Sequence, residues 1–479
     1  MMIPQLDRHA FGDKLYHFVF PAQPVASIEH LHGREQELER ISRALMAPGR
    51  HVFIFGDRGV GKSSLAATAA AQHQSSDASY IDVSGSPDST LKSVIANVVY
   101  QAVNASRIKK TKTSETIAFE SKWAKLGSSR ETALHDLQEQ IGTIVDAVEM
   151  LREVAPLHSA NPVVVVDEFD RIQSTEERGR FADLIKQLGD KRIPIHFIFT
   201  GVAKTIEDLL GAHASAVRQF ETVELPRLNW RGRWEIALAA TSAFGVRLDR
   251  EIYLRIAAVS DGFPYYVHLI TEKMLWRVFD DPQVVTEITW QHYDDGLQQA
   301  ITGIDAELRR PYEMAVNQRR GDDYEEVLWS SADSDYLQRF VKDMYSSYEY
   351  VMEQRPDRTK LDADRYGARV RQLRNPSCGA ILVSDAAKPG LYTYREKMLR
   401  GFVRMQAEAN GIELLGERAR APRPVMHVPS SVTRGYHASR PPKGVHMGRR
   451  RENEKHDASG VEIRPSYDGA PDDESPTRD

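Results

Sequence analysis

The stretch Gly56-Asp57-Arg58-Gly59-Val60-Gly61-Lys62-Ser63 decides how the rest of the chain is read. It fits the pattern G-x-x-x-x-G-K-[ST], and each fixed position has a physical reason. Glycines allow backbone angles closed to other residues, so successive N–H groups can close round phosphate oxygens. Lys62 supplies a mobile point charge for β- and γ-phosphates, and the Ser63 hydroxyl is a suitable Mg²⁺ ligand. His51–Phe55 before the loop reads as a short buried strand, and Ser63–Gln72 after it as a helix whose N-terminus adds the positive end of its dipole. Strand, glycine loop and helix in this order predict a site for ATP or GTP.

Further along, Val163-Val164-Val165-Val166-Asp167-Glu168 is a β-branched run ending in two acids. On a central strand, Asp167 emerges at the carboxyl edge of the sheet, where open α/β folds bind nucleotides. There it would hold Mg²⁺, and Glu168 would polarise the attacking water. The alternative is a solvated strand end with two acids. Asp170 reads as a helix-start or surface residue. The next strand, Ile195–Phe199, ends in Thr200, whose hydroxyl would either sense the γ-phosphate or serve a turn.

Working outward, Ser79–Val83 is another strand. Helical patterns cover Gln36–Ala47, Leu91–Val103 and the region of Phe181–Leu188. Leu134, Leu137, Ile141, Ile144 and Val148 recur at helical spacing and predict one long helix, Thr132–Val154. Residues 104–131 are polar and Lys-rich, and read as an insertion or mobile loop. Strands alternating with helices imply an α/β fold with a parallel sheet covered on both faces. From Trp230 to about Asp280 the pattern is helical only, with Gly245 and Gly262 as helix stops and Pro264 as a helix start.

The whole chain of 479 residues is too long for one core; its 41% hydrophobic and 27% charged content is that of ordinary globular proteins. A net charge of −5 argues against coating nucleic acid along the whole length, while leaving room for a local basic patch. The single cysteine, Cys378, excludes an internal disulfide and fits a reducing cytoplasm. No apolar run approaches the roughly 18 residues that span a bilayer, so no membrane partner is expected, and no signal peptide is evident. Five segments result. Residues 1–27 form an apolar, aromatic lead-in packed on the first domain. Residues 28–226 form the phosphate-loop core, 227–299 a helical lid, 300–415 a further α+β unit and 416–479 a disordered tail.

With these residues in order, the stretch from about 30 to 280 resembles AAA+ ATPases of the origin-recognition-like and STAND type. Gly33-Arg34-Glu35 is similar to the element that precedes the first helix in that group, which places Arg34 near adenine and ribose. Gly56, Gly59, Gly61, Lys62, Ser63 and the following Ser64 match the Walker A motif. Asp167-Glu168 match Walker B, and Thr200 falls at the sensor 1 position. The resemblance implies ATP and Mg²⁺ as ligands, with Ser63 and Asp167 on the metal and Glu168 and Thr200 in catalysis. It also places Arg218 where oligomeric members carry an arginine finger, against the plain reading of a surface arginine. In Gly262-Phe263-Pro264-Tyr265-Tyr266, tyrosine stands where initiator ATPases carry a sensor 2 arginine. The Gly-x-Pro form is similar to STAND proteins, in which this proline packs near the base. The departure favours a slow switch over a motor.

At the C-terminal end, Leu361–Arg374 reads as a helix with Arg365, Arg369 and Gln372 on one stripe. A hairpin of Ala380–Val383 and Leu391–Tyr394 follows, with Lys388 near its tip, then a helix Glu396–Ala409. This order resembles a winged-helix domain, which would contact DNA through residues 361–394; a protein-binding or autoinhibitory module is the other reading. Arg449-Arg450-Arg451 in the tail read as a solvated run or a weak nucleic-acid tether. Three functions follow: an ATP-driven switch acting on a partner, a DNA-binding initiator or loader, and a regulatory subunit gating a protein effector in bacterial defence. A homo-oligomer is a further expectation.

Overall fold

The computed structural model describes residues 6–74, 78–108, 129–202, 218–317 and 323–414. The tail, most of the Lys-rich insertion and the residues just before Arg218 lie outside them.

Five parallel strands form the central sheet: β1 His51–Phe55, β2 Ile81–Ser84, β3 Val163–Asp167, β4 His196–Gly201 and β5 Phe220–Glu224, in the order β2-β3-β4-β1-β5. Alternate residues serve opposite faces, as the pleat requires. Val52, Ile54, Val163 and Val165 join one core, which continues through the lid into the C-terminal unit. Phe53, Val164, Val166, Phe197 and Phe199 join a second core under the helices Leu91–Ile108, Ile144–His158 and Thr175–Asp190. The expected α/β architecture with both faces covered is present.

The expected helix Thr132–Val154 is two helices, Arg130–Gln140 and Ile144–His158. The apolar period runs unbroken through the gap, but a capping box overrides it. Thr143 N–H donates to Asp146 Oδ2 at 2.7 Å, and Asp146 N–H donates back to Thr143 Oγ1 at 3.3 Å. The lead-in, expected on the first domain, divides between lid and first domain. Its helix, Arg8–Phe18, packs on the lid, with Phe11 stacked 4.4 Å from Phe279 and edge-on to Trp276 at 4.7 Å. Residues 20–25 then cross to the phosphate-loop helix, where Val25 N–H donates to Ser64 Oγ at 3.0 Å and Thr68 Oγ1 donates to Val25 O at 3.2 Å.

The lid consists of helices Trp230–Ala243, Arg250–Val259, Pro264–Phe279 and Trp290–Gly303; the last spans the expected boundary at residue 299. It is not purely helical, because β6 (Arg247–Leu248) and β7 (Glu287–Ile288) form a short parallel ladder. In the C-terminal unit the helices are Ala306–Val316, Tyr324–Ala332, Val341–Glu353, Ala363–Gln372 and Met398–Ala409. Its antiparallel sheet runs β8-β10-β9, from β8 (Gln338–Phe340), β9 (Leu382–Ser384) and β10 (Leu391–Tyr394). The hairpin is confirmed, but β9 starts two residues later than expected, because Gly379 (φ 76°) and Ala380 (φ 48°) turn the chain first. Asp362 caps the preceding helix, accepting from Arg365 N–H at 2.8 Å. Among the described residues, no helix is long and apolar enough to cross a membrane.

Lid and C-terminal unit meet around buried carboxylates, Glu408 with Arg255 and, most densely, Asp261. Asp261, 1% exposed, receives Arg227 from the end of the core and Arg400 (2.5 and 2.6 Å) and Arg404 (3.2 Å) from the last helix. Burial alone would raise the Asp261 pKa, but the three guanidiniums hold it well below the usual carboxylate range.

Candidate functional site

The glycine loop leaves β1 and turns directly into the helix Lys62–His73. Gly56 (φ 153°) passes so close to its neighbour strand that a Cβ there would fall 2.5 Å from the Leu225 carbonyl oxygen. Gly61 (φ 97°) is the helix N-cap; its left-handed conformation turns the free N–H groups of the first turn toward the loop. Lys62 Nζ donates to Asp57 O at 2.8 Å and Gly56 O at 3.2 Å, curled back along the loop. Burial lowers its pKa, and the nearby Asp170, Asp167, Asp57 and Glu168 partly oppose the shift.

Asp167 emerges at the end of β3, which β4 separates from β1 and its loop. Ser63 Oγ donates to Asp167 Oδ1 at 3.0 Å, and Thr200 Oγ1 donates to the same oxygen. Thr200 also accepts from Glu168 N–H at 3.1 Å, so this hydroxyl fixes the acid pair to β4. Glu168 adopts a left-handed backbone (φ 52°), and its carboxylate pairs with Arg171 Nη1 at 2.7 Å. Asp170 is more than a surface residue: it lines the cleft and accepts from Val202 N–H at 2.9 Å.

These groups share one cleft of about 710 Å³, within the usual range for small-molecule sites. Arg34, Gly59, Gly61, Lys62, Ser63, Ser64, Asp167, Glu168, Thr200 and Pro264 all line it. Arg34 is nonetheless committed to the protein. Its Nη2 donates to Val60 O at 2.8 Å and Pro226 O at 2.7 Å, and burial lowers its pKa to about 10. Pro264 stands over the loop, its ring 3.8 Å from where a Cβ of Gly61 would lie. Arg218 does not join the cleft. It is exposed in the turn before β5, and the pairing of His51 with Phe220 puts it at the opposite edge of the sheet from the loop.

Sequence reasoning missed much of the cleft wall. Phe20 to Val25, His30, His32, Tyr265 and His268 also line the cleft, as do the exposed Arg58 and Glu307. His268 Nδ1 accepts from Phe20 N–H at 3.3 Å, and burial brings its pKa down to about 3, so it is neutral. The aromatic lead-in was visible as an apolar segment; nothing in its spacing pointed to a cleft.

On the expected DNA-contacting helix, Arg369 Nε donates to Asp323 at 2.9 and 3.0 Å and lies over the Tyr324 ring, while Gln372 accepts from Tyr324. Two of the three stripe residues are therefore occupied within the chain, and Arg365 is exposed beside Asp362 at 3.4 Å.

The donor set suits a nucleoside triphosphate with Mg²⁺. A helix N-terminus and one ammonium face the phosphate end, and one hydroxyl and one carboxylate converge beside them. Mg²⁺ takes few protein ligands and relies on water and substrate phosphates, and among the described residues no cluster of three or more His, Cys, Asp or Glu forms a self-sufficient metal cage.

The chain matches the family described as AAA ATPase domain over residues 30–198. A search of curated proteins gave no match. Among solved structures, it is similar to a Walker-type ATPase of Pyrococcus abyssi (14% identity, 80% of this chain and 99% of that one, TM-score 0.46). It is also similar to Cdc6p from Pyrobaculum aerophilum (15%, 83% and 98%, TM-score 0.40) and to a Thermotoga maritima RuvB variant (16%, 81% and 98%, TM-score 0.41). A phosphate loop at the carboxyl edge of a parallel sheet and an acid pair at the same edge, two strands away, both fall within the residues 30–198 that match the AAA ATPase domain family.

Proposed function

We propose that the chain binds ATP with Mg²⁺, hydrolyses it slowly, and uses the nucleotide state to change how its C-terminal unit meets a partner. The observation that carries this is the convergence of Lys62, Ser63 and Asp167 in one cleft, with Ser63 Oγ 3.0 Å from Asp167 Oδ1. Loop N–H groups and Lys62 would hold the phosphates. Ser63 and Asp167 would hold the metal, which when bound neutralises phosphate charge. Glu168 would take the proton of the attacking water once it leaves Arg171, and Thr200 would keep the acid pair in register. Slow turnover follows from the pairing of Glu168 in the resting arrangement and from the absence of an arginine at Tyr265.

Coupling to the C-terminal unit rests on two features. Pro264 stands over the loop, and the next residues lead to Tyr266, whose hydroxyl donates to Met398 O at 2.8 Å. The partner is read as a protein, because Arg369 and Gln372 are already bonded within the unit. Arg218, exposed and remote from its own cleft, supports a role only toward a second copy of the chain. Glu168→Gln tests the hydrolytic half. It should keep ATP affinity and lose turnover by about 10² to 10⁴-fold; normal turnover in this variant would remove Glu168 from catalysis.

A further inference from the structure

Three successive residues of the phosphate loop are gripped from outside by the C-terminal unit. Asp57 Oδ1 pairs with Lys397 Nζ at 2.5 Å, and Arg58 Nη1 with Glu307 Oε2 at 3.3 Å. Met398 packs on Gly59 so closely that a Cβ there would collide with its thioether. Of these contacts only the Arg58–Glu307 pair also lines the cleft that contains Lys62, Ser63 and Asp167.

The cleft lining balances four acids, Asp167, Glu168, Asp170 and Glu307, against four cations, Arg34, Arg58, Lys62 and Arg171. Asp167, Glu168 and Asp170 face Lys62, and a triphosphate would add negative charge. Stabilising it calls for a second cation near the terminal phosphate. Among the described residues lining the cleft, the arginines are Arg34, Arg58 and Arg171, and none comes from the lid. Arg34 is buried and bonded to two carbonyls, and Arg171 is paired with Glu168. Among the described residues Arg58 is held by a single carboxylate, itself 71% exposed. Exposed pairs of this kind are weak and screened by salt, whereas a guanidinium can meet phosphate with two parallel hydrogen bonds. Exchange of partners at Arg58 is therefore favourable.

We infer that Arg58 is the in-cis cation for the terminal phosphate and that Glu307 holds it when that phosphate is missing. A nucleoside triphosphate and the C-terminal unit thus compete for one guanidinium. A diphosphate, lacking the terminal group, leaves Arg58 with Glu307 and the unit docked. The inference rests on reading the cleft as the ATP site.

Equilibrium binding of ATP and of ADP to the full chain tests it, with thermal melts to confirm that each variant is folded. Arg58→Ala should weaken ATP by about tenfold or more and leave ADP within about twofold. Glu307→Gln should tighten ATP several-fold without affecting ADP, and this gain should vanish in the Arg58→Ala background. Equal weakening of ATP and ADP by Arg58→Ala, no change in either, or a Glu307→Gln effect that persists without Arg58 would each overturn it. If the unaltered chain binds neither nucleotide, the ATP reading itself falls, an outcome distinct from intact ADP binding with an unaltered ATP preference.

Discussion

At the residue scale, the site turns on hydroxyls that tie one carboxylate to its surroundings. Asp167 receives Ser63 from the loop and Thr200 from β4, and Thr200 also satisfies Glu168 N–H. Thr200→Val preserves shape and removes both roles. It leaves a partly buried N–H without its acceptor and frees the acid pair to drift. ATP affinity should change by less than about threefold while turnover falls by roughly 10 to 100-fold; an equal loss in both would show that Thr200 serves binding rather than alignment. The glycine–lysine pattern and the two acids were legible because the chemistry admits few other residue types there. Arg58, Glu307 and Arg171 were not, because nothing local marks them. Arg58 and Glu307 are separated by 249 positions, and only folding brings them together.

At the scale of elements, strands were readable wherever a β-branched or aromatic run was buried on both faces, as in β1, β3 and β4. The break at Ile141–Thr143 was missed because hydrophobic spacing and capping chemistry gave opposite answers, and capping prevailed. β8 was missed because three residues, Gln338–Phe340, are too few to show a period. The join between lid and C-terminal unit was also hidden. Arg400 and Arg404 lie one turn apart on a helix, but their shared partner is Asp261, 139 positions away from Arg400. Removing that carboxylate leaves three guanidiniums facing one another in the interior. Asp261→Ala should destabilise the chain by about 3–5 kcal/mol, read as a lower urea midpoint. A midpoint unchanged from the parent would mean that the cluster relaxes into water and does not join the two units.

At the scale of the whole molecule, buried histidines couple folding to pH; burial lowers the pKa of His30, His32, His73 and His196, and most of all of His51 and His268. His51, in β1, accepts from Phe197 N–H at Nδ1 (3.1 Å), while its Nε2 has no hydrogen-bond partner. His268 lies fully buried beside the lead-in. Burial lowers both pKa values to about 3 from 6.5. The unfolded chain binds protons below pH 6.5 that the folded chain rejects. Their contribution is therefore complete above about pH 6.5 and is lost as pH falls toward 3, at up to about 1.4 kcal/mol per pH unit for each group. His51 and His268 alone should lower the unfolding free energy by roughly 4 kcal/mol between pH 7.5 and pH 5, read by urea titration; a flat profile would show that these rings gain water or a counter-ion in solution.

The central claim, that main-chain amides and the Lys62 ammonium enclose a triphosphate at the edge of the sheet, is tested most directly by equilibrium titration of the full chain with ATP and Mg²⁺, beside Lys62→Ala. The unaltered chain should show saturable one-site binding, and the variant an affinity weaker by about a hundredfold or more. Equal affinity in the two proteins would contradict it.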